Sequence, residues 1–260
     1  MGCILNRQKQ SFDHCFEVFL ADTPESKKIH YQLRYRVYCD EMGFDDTEQF
    51  PAQQEIDEWD KSAIHFLVRH KYTQQWLGGL RMVKPKGHVF PFQESSITSE
   101  RIPSGRYKNS VEISRLCVTK DARRFAFRNP AIDAPEENRK ISFLHDYRNI
   151  NRDIMWGLYR AAAVYSLRQG IKHWYMLSNP ALAYSVKKQG FDIQQIGDAS
   201  RQSTRLLYCL STKQVLENSL WFEDYRHDFR LYSDITNDVS VDMGGRQVKQ
   251  IGVISYVSRI

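Results

Sequence analysis

Two β-rich runs, AIHFLVRH at 63–70 and WLGGLRMV at 76–83, are joined by only five polar residues, KYTQQ. So short a link permits an antiparallel hairpin and excludes a parallel crossover, which needs a dozen or more residues. The next β-rich run, VEISRLCVT at 111–119, is apolar at alternate and adjacent positions, as a central strand is. Before the hairpin, Thr23 can cap a helix, Pro24 suits its first turn and Gly43 its stop, which predicts a helix over 24–42. After the central strand, Asn151 opens NRDIMWGLYRAAAVYSLRQG, with Ile154, Leu158, Ala161, Ala162 and Tyr165 on one face and Gly170 at the end. A strand at 171–178, a short helix at 179–191 stopped by Gly190, and a strand pair from FDIQQIG and TRLLYCLS (204–211) complete the pattern. Strands alternating with helices predict an α/β (α+β) fold with a mixed central sheet flanked by helices.

Around this core, residues 1–22 read as a flexible leader, 84–109 as loop and 120–150 as a mobile insertion or binding flap. The single domain spans 23–212, and 213–260 form a C-terminal extension with a helix over Lys213–Arg226 and a β-rich QIGVISYVS. Hydrophobic residues make up 42% and charged residues 26%, a balance that excludes a disordered chain. No apolar run approaches the roughly 20 residues of a membrane span, and no signal-peptide core precedes the domain. A cytoplasmic protein is expected, with peripheral membrane contact as the limit of its membrane association. Five scattered cysteines without a CxxC pair, and no histidine at zinc spacing, predict reduced thiols and no metal site. The net charge of +6 implies an acidic partner: nucleic acid, anionic lipid or an acidic carrier protein. Basic residues are spread along the chain without an RRM, KH or helix-turn-helix signature, so nucleic acid is not the expected partner.

Several short motifs follow one another in a telling order. RYRVYCDEMGF carries Arg34, Tyr38 and Phe44; EIDEWD carries Asp57 and Asp60; LGGLRMV carries Arg81; FPFQE carries Phe92; and VEISRL carries Glu112 and Arg115. In this order and spacing the chain resembles the acyl-homoserine-lactone synthases and N-acyl amino acid synthases, over roughly residues 30–210. It looks closest to the bacterial branch that accompanies exosortase systems. The resemblance implies the GCN5-related N-acetyltransferase (GNAT) fold, whose bulged strand splays from its parallel neighbour to admit a pantetheine arm. It also implies transfer of an acyl group from a thioester to an amine.

That chemistry needs a free-base amine, a polarised carbonyl and an exit for the thiolate. Glu112 is the expected base and Arg115 its companion; a regular strand would point them to opposite faces, so the pair requires a bulge. A cross-strand ion pair at Glu112 and Arg115 is the alternative reading. Backbone N–H groups at Leu116, Cys117 and Val118 would polarise the carbonyl. Asp57 and Asp60 would orient the acceptor's ammonium and Arg81 would grip its carboxylate by two contacts, with Arg34 at the family spacing beside them; solvated loop charges are the alternative. Tyr38, Phe44 and Phe92 would line an aromatic pocket.

Two departures from the family's wider pattern matter. The segment TKDARRFAFR has no glycine where acetyl-coenzyme A-dependent members bind pyrophosphate, so the expected donor is the acyl-phosphopantetheine of acyl carrier protein, with no bound cofactor. Arg123, Arg124 and Arg128 would dock that acidic carrier, unless they are ordinary solvated charges. Val186 stands where many acetyltransferases place a tyrosine acid, with Tyr184 displaced by two residues, leaving water to protonate the thiolate. With Phe44 for a tryptophan and Tyr38 for a phenylalanine, a small amino acid is preferred as acceptor over S-adenosylmethionine. A quorum-signal lactone synthase is the second reading, and a non-catalytic acyl-binding or nucleic-acid-binding protein the reading from another class.

Overall fold

The computed structural model describes residues 12–95, 97–98, 102–124, 150–198, 204–221 and 231–233. Nine strands form one mixed sheet: β1 Phe16–Leu20, β2 Ala63–His70, β3 Trp76–Val83, β4 Ile97–Thr98, β5 Ser110–Val118, β6 His173–Ser178, β7 Gln194–Asp198, β8 Leu206–Ser211 and β9 Leu231–Tyr232. Their spatial order is β4-β7-β8-β6-β5-β3-β2-β1-β9. Among the described residues only β5–β6 and β1–β9 run parallel; the expected hairpin β2–β3 and the closing pair β7–β8 are antiparallel. Three longer helices, α1 Pro24–Tyr35, α2 Ile150–Arg168 and α3 Pro180–Lys188, flank the sheet. No helix among the described residues is long and apolar enough to cross a membrane.

The glycine pair of β3 explains how α1 and α2 reach the sheet. Successive residues of a strand face opposite sides. A Cβ on Gly78 would lie 2.9 Å from Ile154 of α2, and one on Gly79 3.0 Å from the His30 ring of α1. Each helix therefore lies close over one face, at a position where a larger side chain would hold it off.

Thr23 caps α1 as expected, its Oγ1 accepting the Ser26 N–H at 3.2 Å. The predicted helix over 24–42 changes character at Tyr35, continuing as a π-helical segment Arg36–Glu41 before Gly43 at φ +62° ends it. π-Helical turns concentrate at functional sites, and this one carries Tyr38.

Three expectations are corrected. The leader over 1–22 overlaps the fold: Phe12–Cys15 form a helical turn and Phe16–Leu20 are β1, paired with β2 in the register Phe16↔His70. Phe16, Val18 and Phe19 are buried, and apolar burial holds this segment in place. The stretch 84–109 is not all loop. It holds a helical turn Phe92–Ser95, strand β4 and a 3-10 segment Ser104–Asn109, organised by Phe90, Phe92 and Tyr107 stacking beside Tyr175. The helix expected over Lys213–Arg226 is a five-residue turn, Thr212–Leu216, followed by a 3-10 segment Ser219–Trp221. Asn218 breaks it: its Nδ2 donates to Gln189 O at 3.0 Å and its Oδ1 accepts the Leu220 N–H at 2.8 Å. Residues 222–226, QIGVISYVS and most of the 120–150 insertion lie outside the described residues. From within the expected C-terminal extension, β9 joins the sheet beside β1.

Candidate active site

Strand β5 creates the site by failing to stay regular. Between Gly79↔Cys117 and Arg81↔Ser114 the register against β3 shifts, so β5 carries an extra residue there, and Arg115 adopts φ +50°. On the other side, β5 pairs with β6 only from Ser110 to Glu112. Beyond Glu112 the two parallel strands part, while β6 continues alongside β8 to Ser178. A cavity of about 480 Å³ opens here, walled by Ile113, Ser114 and Arg115 of β5, Leu177 of β6, and Asp57 and Arg81.

Six charged side chains form a closed ring behind and along this wall. Glu55 accepts from Arg34 and Arg115, Asp57 pairs with Arg81 and Arg115, and Asp60 pairs with Arg34 and Arg81. Each carboxylate thus bridges a different pair of arginines, and the charges balance. Arg81 Nη1 lies 2.7 Å from both Asp57 oxygens and 3.0 Å from Asp60 Oδ1, while its Nε donates to Ser114 Oγ at 3.1 Å. Arg34 is fully buried and its Nη1 donates to Asp60 at 2.7 Å. Burial alone would raise the Glu55 and Asp60 carboxyls, but the arginines override it and hold both below the usual range. Beneath the ring His30 and His65 lie 4.6 Å apart between ring centroids, their planes tilted by 54°. Burial keeps both below their ordinary value, His65 at about 4, so they are neutral at pH 7.

Glu112 stands outside the ring. It is 4% exposed, lines the cavity, and its Oε2 accepts the Phe92 N–H at 2.8 Å. Burial pushes its carboxyl up to about 7, against the pull of that N–H and of Arg81 and Arg115. A carboxyl titrating near neutrality in a cavity is suited to moving a proton.

Tyr38 reaches the bulge from the π-helical segment. Its hydroxyl donates to Leu116 O at 2.9 Å, and Arg115 lies over its ring at 5.7 Å. Burial raises its phenol.

Residues 33–129 match the family described as Acetyltransferase (GNAT) domain. Over that segment the chain is similar to GNAT acetyltransferases, and its mixed sheet with the bulged β5 has the GNAT fold. Among solved structures, it resembles a coenzyme A-dependent acyl-homoserine lactone synthase, BjaI, solved with S-adenosylmethionine and isopentyl-CoA. Identity is 17%, coverage 85% of this chain and 93% of that one, and the TM-score 0.56. The acyl-homoserine lactone synthase LasI aligns at 17% identity over 76% and 90% of the two chains, with a TM-score of 0.51. FeeM, an N-acyl amino acid synthase from uncultured soil microbes, aligns at 13% identity over 79% and 95%, with a TM-score of 0.47. No protein of curated function matches the sequence.

In this GNAT-like fold the cavity gathers Glu112, Arg115, Asp57, Arg81, Tyr38, Phe44 and Phe92 from the sequence-predicted set. Glu112 and Arg115 share it without pairing to each other: the bulge aims both inward, and Arg115 turns to Glu55. Arg34 and Asp60 do not reach it. They are sealed behind the wall, so direct contact with an acceptor is corrected to support of Arg81. The two-point grip by Arg81 is corrected as well. With Nη1 and Nε engaged, Nη2 is its one nitrogen without a hydrogen bond among the described residues. Leu116, Cys117 and Val118 follow the bulge on β5; Cys117 is a buried thiol pushed up to about 12 by burial. Arg123 and Arg124 belong to a short helical turn, Lys120–Arg124, but their side chains, and all of Arg128, lie outside the described residues. Sequence reasoning missed Glu55, Ser114, Trp59, Leu177 and Arg205. For Glu55 the available signal was EIDEWD itself, which places another acid two residues before Asp57.

Proposed function

We propose that the protein moves a long-chain fatty acyl group from the phosphopantetheine thioester of acyl carrier protein to the amine of a small amino acid or related acceptor. The observation that carries this reading is Glu112, buried beside the gap between β5 and β6 with its carboxyl raised to about 7. In that gap the acceptor nitrogen attacks the thioester carbon, and Glu112 takes the proton the nitrogen loses. The C–N bond forms, the C–S bond breaks, and the thiolate is protonated by water. Asp57, partly exposed to the cavity, orients the acceptor's ammonium, which sheds one proton to solvent to become the free amine that attacks. Backbone N–H groups past the bulge polarise the carbonyl, as preorganised donors do. The lack of glycine in TKDARRFAFR favours carrier protein over coenzyme A as donor, with Arg123, Arg124 and Arg128 meeting its acidic surface in a cytoplasmic setting.

Purified protein should acylate an amino acid from a long-chain acyl carrier protein faster than from acetyl-CoA or a matched acyl-CoA, with product followed by mass spectrometry. Equal turnover from coenzyme A thioesters would sink the donor assignment, and lactone formation from S-adenosylmethionine would replace the acceptor. Glu112→Gln keeps an acceptor for the Phe92 N–H but removes the base, so kcat should fall roughly 100-fold or more. An unchanged rate would make Glu112 a structural partner of Phe92 only.

A further inference from the structure

We propose that Glu55 is a positioning residue for acyl transfer, tying the left-handed Arg115 of the β5 bulge to Arg34 of α1 and so setting bulge shape and the charge reaching Glu112. The inference rests on the base role proposed for Glu112. Glu55 is 1% exposed, and its backbone N–H donates to Tyr31 O of α1 at 3.1 Å. Its Oε2 accepts from Arg34 Nε, and both its oxygens lie 3.2 Å from Arg115 Nε. It is the one carboxylate of the ring that spans Arg34 and Arg115, and like Arg34 and Asp60 it lies behind the cavity wall rather than on it.

The strain at Arg115 calls for such a tether. A residue with a Cβ is strained at positive φ and persists there where its surroundings fix it. Glu55 fixes the Arg115 side chain, while the Tyr38 hydroxyl holds the next carbonyl, that of Leu116. Charge is the second link. Glu112 faces Arg81 from β3, Arg115 from its own strand and Asp57 from the loop before β2. Glu94, Glu58, Asp45, Arg205 and Tyr38 line the same cavity, and Tyr175 of β6 lies opposite in register. Glu55 neutralises Arg115; without it the ring carries one excess positive charge beside the base.

The test is the pH profile of kcat/KM for wild type, Glu55→Gln and Glu55→Asp. In wild type the rate should rise with pH through about 7, as Glu112 ionises. Glu55→Gln should lower kcat roughly tenfold or more and move this limb to lower pH by roughly half a unit or more, because the freed guanidinium favours the ionised base. Glu55→Asp keeps the charge and should leave the limb in place. The double variant Glu55→Gln/Arg115→Gln restores the balance of the ring and should return the limb to the wild-type position or above it. A folded Glu55→Gln whose limb does not move overturns the inference, and so does a double variant whose limb lies below wild type. Should Glu55→Gln fail to fold, the double variant still decides. Full activity in Glu112→Gln at every pH would instead remove the base role itself, leaving the two failures distinguishable.

Discussion

At the scale of single residues, the same burial that equips Glu112 to take a proton places a cost on the fold. Its carboxyl titrates at an ordinary 4.5 in the unfolded chain and at about 7 when folded. For a raised carboxyl the folded state is unpenalised below the unfolded value and loses stability as pH rises toward the folded one. The loss should approach roughly 3 kcal/mol above pH 7. Glu112→Gln should therefore melt well above wild type at pH 8 and level with it at pH 4, as followed by calorimetry; an equal gap at both values would mean that the charge is not the cause. Glu112 and Arg115 were legible in the sequence through the resemblance, whose Glu-x-x-Arg motif VEISRL matches, and their spacing on a strand then required a bulge. Glu55 was not. An acid in EIDEWD looks like any solvated loop charge until the fold buries it between two arginines, and Arg34 and Asp60 were misplaced at the cavity for the same reason.

At the scale of elements, period and punctuation located the hairpin, the central strand and α2, since each carries a long apolar pattern. The interruptions were less legible, because close approach between elements leaves little trace in local pattern. Gly157 is an example. A glycine inside a helix costs roughly 1 kcal/mol relative to alanine, yet Gly157 sits in the middle of α2. The reason is Phe12: a Cβ at 157 would lie 2.3 Å from its ring, so the helix keeps a notch into which the N-terminal turn packs. Gly157→Ala gains helix propensity but overpacks the notch, and should destabilise the protein by roughly 1–2 kcal/mol. In a Phe12→Ala background the notch is empty, and the same substitution should become stabilising by about 1 kcal/mol. Denaturant melts of the four proteins measure the coupling; additive effects would show that the two residues do not meet.

At the scale of the whole molecule, the order of the sheet makes the N-terminal segment part of the fold that carries the site. β1 lies between β2 and β9, and β2 and β3 carry the hairpin against which β5 bulges. The sequence hid this because FEVFL is short and follows a polar stretch, with its partner strand nearly fifty residues away. Burying Phe12, Phe16, Val18 and Phe19 contributes roughly 1.5–3 kcal/mol each, and their sum is of the order of a domain's entire net stability, about 5–15 kcal/mol. Deleting residues 1–22 would also uncover the backbone edge of β2 from Phe66 to His70, an open template for pairing between chains. That truncation should give insoluble or self-associated protein without transferase activity. Size-exclusion chromatography and a thermal melt beside the full chain check this. A monomeric 1–22 deletion with a wild-type melting temperature would show that β1 is dispensable, and the hairpin at the centre of the site would then stand without it.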